Sequence, residues 1–252
     1  MDLSGKTIIV TGASSGIGLA TARLLSQFGA NVALAARRSD RLAEVAADMP
    51  TERTITVPTD ISEPRQCEAL VSQVKERFGR IDGLVANAGT AEMGAMDEVS
   101  PDAFRKVIEV NATGTYETIR AAWSALGESG GSVVATSSVS GIGGDFGGFA
   151  YNASKGAVNN MVRGLALDYA RSGVRVNAVA PSFTRTEMTT GLQDKQAKYD
   201  AMVARIPMGR PGEPEEVASV IAFLLSSHAR FVNGVILPVD GGLNASNGQA
   251  PV

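Results

Sequence analysis

The sequence contains little of two residue types that build many catalytic and metal sites, cysteine and histidine. Cys67 is the only cysteine and His228 the only histidine among 252 residues. One cysteine can form neither an intrachain disulfide nor a cysteine metal cluster. A zinc site or a histidine-based catalytic triad would depend on His228 alone, so the sequence predicts a protein with no metal site and no such triad.

The sequence also has no excess of positive charge and no long apolar run. The chain has 23 lysines and arginines against 26 aspartates and glutamates, which gives a formal net charge of −3. This balance provides no basic surface for nucleic acid or anionic lipid. No apolar run approaches the length of a transmembrane helix, and the N-terminal residues MDLSGKTIIVTG lack the layout of a signal peptide. These features predict a soluble, cytoplasmic protein that binds neither nucleic acid nor membrane.

What the sequence does contain is a regular alternation of short β-branched runs and longer amphipathic runs. Repeated β-α-β order with apolar strands is typical of a parallel sheet covered by helices on both faces. We therefore predict an α/β fold, a doubly wound parallel sheet of about seven strands, in a single domain over residues 1–243 with a frayed tail at 244–252. The predicted strands are 6–11, 31–36, 53–60, 81–89, 131–138, 174–181 and 235–242, and the predicted helices are 18–29, 40–49, 63–79, 100–126, 151–169 and 214–227.

The first predicted strand leads into a glycine-rich turn, TGASSGIG, from Thr11 to Gly18. Such a turn lets the backbone approach a pyrophosphate, and the helix that follows offers amide donors and the positive end of its dipole. The spacing is Gly-x-x-x-Gly-x-Gly rather than Gly-x-Gly-x-x-Gly, so the motif alone leaves a plain tight turn open as the alternative. The candidate cofactor residues in this turn are Gly12, Ser14, Ser15, Gly16, Ile17 and Gly18.

The end of the second predicted strand indicates which dinucleotide would bind. An NAD(H) site favours a carboxylate there, which accepts hydrogen bonds from the ribose hydroxyls. This chain instead has Ala36 followed by Arg37 and Arg38, and a guanidinium binds the ribose phosphate that a carboxylate would repel. Ser14 and Ser15 are placed to donate to the same phosphate. We therefore expect NADP(H) rather than NAD(H); the alternative is that the arginines only cap the start of a solvated helix.

The stretch FAYNASKGAV, residues 149–158, puts a phenol and an ammonium one helical turn apart. Tyr151 and Lys155 are four residues apart, and only small side chains lie between them. Residues at this spacing share one face of a helix. A lysine charge beside a phenol favours the phenolate and lowers the pKa of the tyrosine, which makes it a usable general acid or base near neutral pH. The alternative is an ordinary surface pair.

These motifs, in this order, resemble those of the short-chain dehydrogenase/reductases in their commonest form. The similarity runs from residue 6 to residue 242. It implies a Rossmann-like fold, a nicotinamide cofactor, and hydride transfer between that cofactor and a carbonyl or secondary alcohol carbon. It rests on TGASSGIG, Asp60 after the third strand, NAG at 87–89, Asn111 in the long helix, Ser138 after the fifth strand, Tyr151-x-x-x-Lys155, APSFTRTEM and the closing VDGG.

The resemblance implies a role for each catalytic candidate. Tyr151 would give a proton to the carbonyl oxygen in reduction and take it from the alcohol in oxidation. Lys155 would lower the pKa of this tyrosine and hold the nicotinamide ribose hydroxyls, and Ser138 would hydrogen-bond the substrate oxygen. Asn111 would hold a water that links Lys155 to solvent, and the ATGT after it weakens helix propensity and suits a local irregularity. Further cofactor contacts are implied for Asp60, Ile61, Asn87, Ala88, Gly89, Pro181, Ser182, Thr184 and Thr186.

Three features depart from the family pattern. Ala86 stands before Asn87 where the family usually has a second asparagine, which removes an amide and predicts a looser hydrogen bond. Ser182 follows Pro181 where the family usually has glycine, which predicts a narrower nicotinamide site or an added donor. The loop 140–150 carries five glycines, and we expect it to be flexible and to shape substrate choice.

The substrate pocket of this family is formed by the loop between Ser138 and Tyr151 and by a lid after Pro181. These segments are mainly apolar in this chain, which predicts an apolar or cyclic ketone or secondary alcohol as the substrate. Asp145 and Arg185 are the charged exceptions. Besides Ser138 and Tyr151, the pocket candidates are Val139, Phe146, Phe149, Phe183, Met188, Leu192 and Met202.

We therefore predict an NADPH-dependent ketone reductase, reversible as an alcohol dehydrogenase and, as the resemblance implies, a homotetramer. A 3-oxoacyl-(acyl carrier protein) reductase is an alternative, although residues 126–132 are acidic or neutral where an acidic partner calls for a basic surface. A nucleotide-binding regulator without turnover is another, but such proteins usually lose the tyrosine or the lysine. A nucleotide-sugar epimerase or dehydratase is disfavoured, because its Gly-x-x-Gly-x-x-Gly spacing and added substrate domain are absent.

Overall fold

The computed structural model describes residues 1–193 and 196–246, and a parallel β-sheet lies at its centre. Within these residues the sheet has seven strands in the order β3-β2-β1-β4-β5-β6-β7, and every neighbouring pair is parallel. This confirms the predicted α/β class and the doubly wound sheet. The strands are β1 (Thr7–Thr11), β2 (Asn31–Ala36), β3 (Thr54–Pro58), β4 (Gly83–Ala86), β5 (Ser132–Thr136), β6 (Arg175–Pro181) and β7 (Ile236–Val239).

Helices cover both faces of the sheet because successive strand residues point to opposite sides. In β1, Ile9 is buried with Leu70 and Ile119, while its neighbour Ile8 is buried with Leu25 and other residues of a second core. The first core is closed by α3, α5 and α6, and the second by α1, α2 and α9. The helices are α1 (Gly16–Gln27), α2 (Ser39–Ala47), α3 (Pro64–Phe78), α4 (Pro101–Ile108), α5 (Gly114–Ser129), α6 (Phe149–Asp168), α7 (Thr190–Gln193), α8 (Gln196–Val203) and α9 (Pro214–Leu225).

The long helix predicted over residues 100–126 is interrupted. A π-helical turn, Glu109–Thr113, separates α4 from α5 and contains Asn111. Gly114 follows this turn, and a Cβ atom built there would lie 2.8 Å from Cδ1 of Ile61. Glycine therefore permits a close approach to the loop after β3. The local irregularity expected beside Asn111 is confirmed, and it takes the form of one wider helical turn.

The strand order changes direction between β1 and β4, and this creates a crevice at their carboxyl ends. From β1 the chain proceeds outward to β2 and β3 on one side, then returns to β4 and proceeds to β7 on the other. Ligands of open α/β sheets bind at such a switch point. A ligand bound at this crevice would therefore contact the loops after β1, β2, β4, β5 and β6.

Two further observations concern what the described part of the chain lacks. No helix in it is long and apolar enough to cross a bilayer. It also has no group of three or more histidine, cysteine, aspartate or glutamate side chains arranged to hold a metal ion. A short 3-10 turn, Leu243–Ala245, overlaps the start of the tail predicted over 244–252, and residues 247–252 lie outside the described residues.

Candidate active site

A cleft of about 680 Å³ opens at the crevice between β1 and β4. It brings together most of the residues predicted from the sequence, from the glycine-rich turn to the segment after β6. Gly18, Asn111, Phe146 and Phe149 are not among the residues that line it. The predicted residues that do are Gly12, Ser14, Ser15, Gly16, Ile17, Arg37, Arg38, Asp60, Ile61, Asn87, Ala88, Gly89, Ser138, Val139, Tyr151, Lys155, Pro181, Ser182, Phe183, Thr184, Thr186, Met188 and Met202.

The turn between β1 and α1 requires glycine for two different reasons. Gly12 has φ +68°, and a Cβ atom there would lie 2.8 Å from Nδ2 of Asn87. Gly18 lies behind the turn, where a Cβ atom would overlap the carbonyl oxygen of Gly12. Ser15, the N-cap of α1, makes no side-chain capping bond, so the first amides of this helix stay free to face an anion. The turn thus fits a pyrophosphate.

Asn87 and Thr11 tie the ends of β1, β4 and β5 together beneath this turn. The backbone amides of Asn87 and Ala88 donate to Oγ1 of Thr11 at 2.9 and 3.1 Å, and Nδ2 of Asn87 donates to the Thr11 carbonyl at 3.0 Å. Oγ1 of Thr136 donates to Oδ1 of Asn87 at 3.1 Å. Asn87 therefore makes the cross-links itself, and the buried Ala86 before it leaves no loosened amide in this network.

The arginines after β2 face the cleft. Nη2 of Arg38 donates to Oγ of Ser14 at 3.3 Å and to Oε2 of Glu187 at 3.2 Å. Arg37 lies beside Asp60, whose carboxylate accepts from the amide and the hydroxyl of Ser62 at 3.0 and 2.7 Å. Burial disfavours the charged form of Asp60, but the Ser62 hydrogen bonds and the Arg37 charge outweigh it and hold the pKa of this carboxyl below its usual range.

Lys155 is buried at the floor of the cleft, on α6. Its Nζ donates to the carbonyl oxygen of Thr136, the last residue of β5, at 2.7 Å. The same nitrogen lies 5.6 Å from the ring centroid of Tyr151. Burial lowers the pKa of Lys155 from 10.5 to about 8. The ammonium is thus held by a backbone oxygen and remains mainly charged at neutral pH.

Tyr151 differs from the sequence-based expectation. The spacing to Lys155 predicts a lowered pKa, whereas the structure raises the pKa of this phenol above its usual value. Burial is the main cause; the Ser138 hydroxyl, hydrogen-bonded to the phenol, opposes the rise, and the Asp145 charge adds to it. Desolvation prevails because it penalises the phenolate directly. The phenol is therefore protonated at neutral pH.

Ser138 belongs to a chain of hydroxyls that ends on a carboxylate. Its Oγ donates to Oγ of Ser140 at 3.0 Å and accepts from the Ser140 amide at 3.2 Å. Oγ of Ser140 in turn donates to Oδ2 of Asp145 through a short contact. A carboxylate can only accept, so the single proton of Ser140 is used and Ser138 must donate toward it. The remaining lone pair of Ser138 faces the Tyr151 phenol, to which this hydroxyl is hydrogen-bonded.

Asn111 lies behind the cleft rather than in its wall. Its Oδ1 accepts from the Thr90 amide at 2.8 Å, and its Nδ2 donates to the Thr90 carbonyl at 2.8 Å and to Oγ of Ser154 at 3.0 Å. Both amide hydrogens are therefore used by protein groups. A Cβ atom at Gly89 would lie 3.1 Å from Oδ1 of Asn111 and 3.6 Å from Nζ of Lys155. A side chain at Gly89 would therefore press on the Asn111 amide, and glycine avoids this close contact.

The substrate candidates divide into two groups. Val139 and Phe183 are buried in the wall of the cleft, and Met188 and Met202 also line it. Phe146 is 99% exposed and is not among the residues that line the cleft, so its predicted role in the pocket stays a prediction that this structure does not support. Phe149 also lies outside, because its ring stacks on Phe104 with centroids 5.7 Å apart.

Two further sequence-based expectations meet different outcomes. Arg185 does not line the cleft, because it pairs with Glu213 at 2.7 Å. The side chain of Leu192 lies outside the described residues. The Ser182 hydroxyl donates to the Asp240 carbonyl at 3.2 Å, so the donor that replaces glycine there is used within the protein.

Sequence reasoning missed several residues of the cleft. Thr136, whose carbonyl holds Lys155, was hidden because any residue supplies a backbone oxygen. Glu187 reaches the cleft from a segment that the sequence does not show as adjacent to β2. Other missed lining residues are Ala35, Thr59, Thr90, Ala91, Met93, Lys106, Val110, Ser137, Ser140, Thr189, Gly191 and Lys198.

The fold and the cleft define a Rossmann-like α/β protein with a glycine-rich turn at its switch point. Residues 12–244 match a family model described as enoyl-(acyl carrier protein) reductase. Meso-2,3-butanediol dehydrogenase of Serratia marcescens is 42% identical over 252 residues, which is 100% of both chains. The chain therefore belongs to the short-chain dehydrogenase/reductase family.

Two other relatives agree with this assignment. Cis-4-hydroxycyclohexanecarboxylate dehydrogenase of Sinomonas cyclohexanicum is 43% identical over 245 residues, 95% of this chain and 97% of its own. The crystal structure of levodione reductase superposes with a TM-score of 0.90 at 35% identity, covering 97% of this chain and 99% of that one. The protein is an oxidoreductase of CH–OH and carbonyl groups, and its family implies a nicotinamide cofactor.

Proposed function

We propose that the protein uses NADP(H) to reduce a ketone and, in reverse, to oxidise a secondary alcohol. The observation that carries this proposal is a single cleft lined by Arg37 and Arg38 and also by Ser138, Tyr151 and Lys155. The first pair supplies guanidinium groups for a ribose phosphate. The second set supplies a protonated phenol, a hydroxyl and an ammonium for the reacting groups.

The residues of the cleft fit the cofactor by their chemistry. The amides of the turn from Gly12 to Ile17 would hold the pyrophosphate, and Asp60 with Ile61 the adenine. Lys155 would hold the nicotinamide ribose hydroxyls. The loop of Asn87, Ala88 and Gly89 would pass the adenine ribose, and Pro181, Ser182, Thr184 and Thr186 would surround the carboxamide and the pyrophosphate. The nicotinamide supplies or accepts the hydride when bound.

Tyr151 is the proposed proton donor in ketone reduction. As the carbonyl carbon gains the hydride, the carbonyl oxygen takes the phenol proton, and a phenolate remains until solvent restores the proton. A raised pKa keeps the phenol protonated at neutral pH, which suits reduction. Oxidation needs the phenolate, so the rate of alcohol oxidation should rise with alkaline pH.

Asn111 is proposed to support proton return to the site, in a modified form. Its side-chain amide is fully engaged by Thr90 and Ser154, so it has no hydrogen left to donate to a water. The π-helical turn Glu109–Thr113 breaks the regular helical bonding around it. We therefore assign the water contact to a backbone carbonyl of this turn, with the side chain holding the turn in position.

The substrate we propose is a small secondary alcohol or ketone with an apolar body. Val139, Phe183, Met188 and Met202 supply the apolar wall. Ser138, whose hydroxyl is oriented by the chain to Asp145, lies beside the Tyr151 phenol and would contact the substrate oxygen. Relatives named as a butanediol dehydrogenase and a hydroxycyclohexanecarboxylate dehydrogenase agree with small or cyclic hydroxyl-bearing compounds.

The test is a panel of ketones with matched hydroxy ketones, such as 2-butanone and 3-hydroxy-2-butanone, with NADPH and separately with NADH. Tyr151→Phe should lower kcat by about 10²-fold or more, because it removes the acidic proton, and should leave NADPH affinity unchanged. Tyr116→Phe, an exposed tyrosine on α5, is the matched control. Undiminished turnover by Tyr151→Phe would sink the catalytic assignment, and a clear NADH preference would sink the cofactor assignment alone.

An acyl carrier protein substrate is the second candidate. Lys106 and Lys198 line the cleft and are exposed, which gives an acidic carrier basic contacts that residues 126–132 lack. A 3-oxoacyl thioester on the carrier should then be reduced with a lower KM than the same thioester on a small thiol. Equal KM values for the two would remove this candidate.

The proposal includes a cytoplasmic homotetramer, as in the sequence-based expectation. Leu167 on α6 is 79% exposed, and Phe231, shortly before β7, is fully exposed. These large apolar side chains belong to the helix pair α5–α6 and to the β7 side of the sheet, and we propose that these two surfaces form the subunit interfaces. Sedimentation equilibrium on the full chain gives the mass directly, and a monomer would contradict the assembly.

A further inference from the structure

The carboxylate of Glu187 links the segment after β6 to the segment after β2 across the cleft. It is the first residue of a 3-10 turn, Glu187–Thr189, that follows β6 and lines the cleft. Its Oε2 accepts from Nη2 of Arg38 at 3.2 Å, and its Oε1 accepts from Nη2 of Arg41 at 3.4 Å. Both arginines lie on the other side of the cleft, between the end of β2 and the first turn of α2.

The anion that Arg38 contacts in this structure is thus the carboxylate of Glu187. The same Nη2 also donates to Oγ of Ser14 at 3.3 Å, so the guanidinium faces the cleft beside the glycine-rich turn. Arg41 has a second carboxylate, Glu44, at 2.6 Å. Without Glu187, Arg41 would keep its contact with Glu44, whereas the guanidinium of Arg38 would be open to another anion.

We propose that Glu187 is a specificity-determining residue that weakens binding of a 2′-phosphorylated cofactor by competing for Arg38. This inference rests on the proposed function, in which Arg38 holds the ribose phosphate. NADPH must replace the carboxylate of Glu187 at the guanidinium, and a phosphate beside a retained carboxylate meets like-charge repulsion. NADH brings only hydroxyls, so it binds without displacing Glu187. The residue therefore reduces the preference for NADPH that the arginines create.

The turn that carries Glu187 does not depend on its carboxylate. The Thr186 amide donates to Oγ1 of Thr189 at 3.0 Å, and that hydroxyl donates to the Thr184 carbonyl at 2.8 Å. The Thr189 amide also donates to the Thr186 carbonyl at 3.0 Å. A substitution at Glu187 therefore removes the charge and leaves the backbone turn in place.

The experiment measures the Kd of NADPH and of NADH by titration calorimetry on the full chain. Exposed ion pairs contribute modestly, so Glu187→Gln should tighten NADPH about three- to tenfold and leave the NADH Kd within about twofold. Glu215→Gln is the matched control, because it removes an equal charge from a second cavity that Glu187 also lines. It should change neither affinity.

Arg38→Ala and the double variant Arg38→Ala/Glu187→Gln complete the cycle. Arg38→Ala should weaken NADPH alone, and the gain from Glu187→Gln should disappear in its background. If Arg38→Ala weakens NADPH but Glu187→Gln does not tighten it, only the role of Glu187 is overturned. If Arg38→Ala leaves NADPH affinity intact, Arg38 does not hold the ribose phosphate and the role of Glu187 is overturned, whereas a clear preference of the wild type for NADH over NADPH would mean that the cofactor assignment itself fails. Equal tightening of NADPH and NADH by Glu187→Gln also overturns the proposal.

Discussion

The two walls of the cleft are built in different ways. The cofactor wall, residues 11–18 and 86–89, is joined by buried hydrogen bonds between Thr11, Asn87 and Ala88, and glycines allow its segments to touch. The substrate wall, residues 140–150 and 182–193, carries exposed apolar side chains such as Phe146 and Met188. Three of the five glycines in its first segment, Gly143, Gly144 and Gly147, have open space or a single neighbour around a Cβ position, whereas Gly141 and Gly148 pack against Lys155 and Asn152.

This contrast shows which part of the site can vary. A backbone cradle with no room for a Cβ atom accepts almost no substitution, whereas an open loop accepts many. We therefore expect the cofactor wall to specify a dinucleotide in general. We expect the substrate wall to distinguish compounds through side chains whose positions depend on local packing.

Equivalent glycine substitutions in the two walls should give the largest contrast. Gly12→Ala places a Cβ atom 2.8 Å from Nδ2 of Asn87 at φ +68°, so we expect it to cost about 2 kcal/mol of stability or more and to weaken NADPH binding at least about 100-fold. Gly143→Ala meets nothing within 4 Å and should stabilise slightly or not at all. Urea unfolding and calorimetric titration measure both effects.

Gly144→Ala is the control for the loop, since its Cβ atom would meet only Nδ2 of Asn152 at 3.7 Å. It should behave like Gly143→Ala. A Gly12→Ala variant that binds NADPH with wild-type affinity would show that the cofactor wall is as tolerant as the loop, and the contrast between the walls would be lost.

The buried Lys155 should make the free energy of unfolding depend on pH. Its pKa is lowered to about 8 in the folded chain, while the unfolded chain keeps about 10.5, so the unfolded state binds the proton more tightly. The folded state is therefore penalised below pH 8 and recovers as pH rises toward 10.5. Relative to Lys155→Met, the wild-type free energy of unfolding should gain about 2 kcal/mol between pH 7 and pH 10.

Urea unfolding of both proteins without cofactor gives this difference. Lys106→Met, which replaces an exposed lysine of the same cleft, is the control, and its difference from wild type should stay constant over the same pH range. A wild-type minus Lys155→Met difference that does not move with pH would mean that the ammonium is solvated, contrary to its buried position.

The sequence was a good guide to the cofactor wall and a poorer one to the substrate wall, for physical reasons. The seven strands, the glycine-rich turn and the irregularity at Asn111 follow from periodicity, glycine placement and local propensity, which are properties of short segments. Tyr151 was assigned a lowered pKa because spacing reveals a neighbouring charge but not the depth of burial. Phe146 was assigned to the pocket because an apolar residue in the right loop does not reveal where its side chain points. Glu187 was missed because its contact with Arg38 joins residues 149 positions apart.

The smallest expected effect lies within the substrate wall and separates its exposed residues from its lining ones. Phe146→Ser removes a ring that is 99% exposed and outside the cleft, so kcat and KM for ketones should stay within about twofold of wild type. Phe183→Ala removes a buried ring that lines the cleft and packs edge-on against Tyr199 with centroids 5.5 Å apart. It should raise the KM of small ketones about tenfold, because the apolar surface facing the substrate is lost. Steady-state kinetics with one ketone compares both variants, and a larger change in Phe146→Ser than in Phe183→Ala would mean that the loop 140–150 closes over the substrate during turnover.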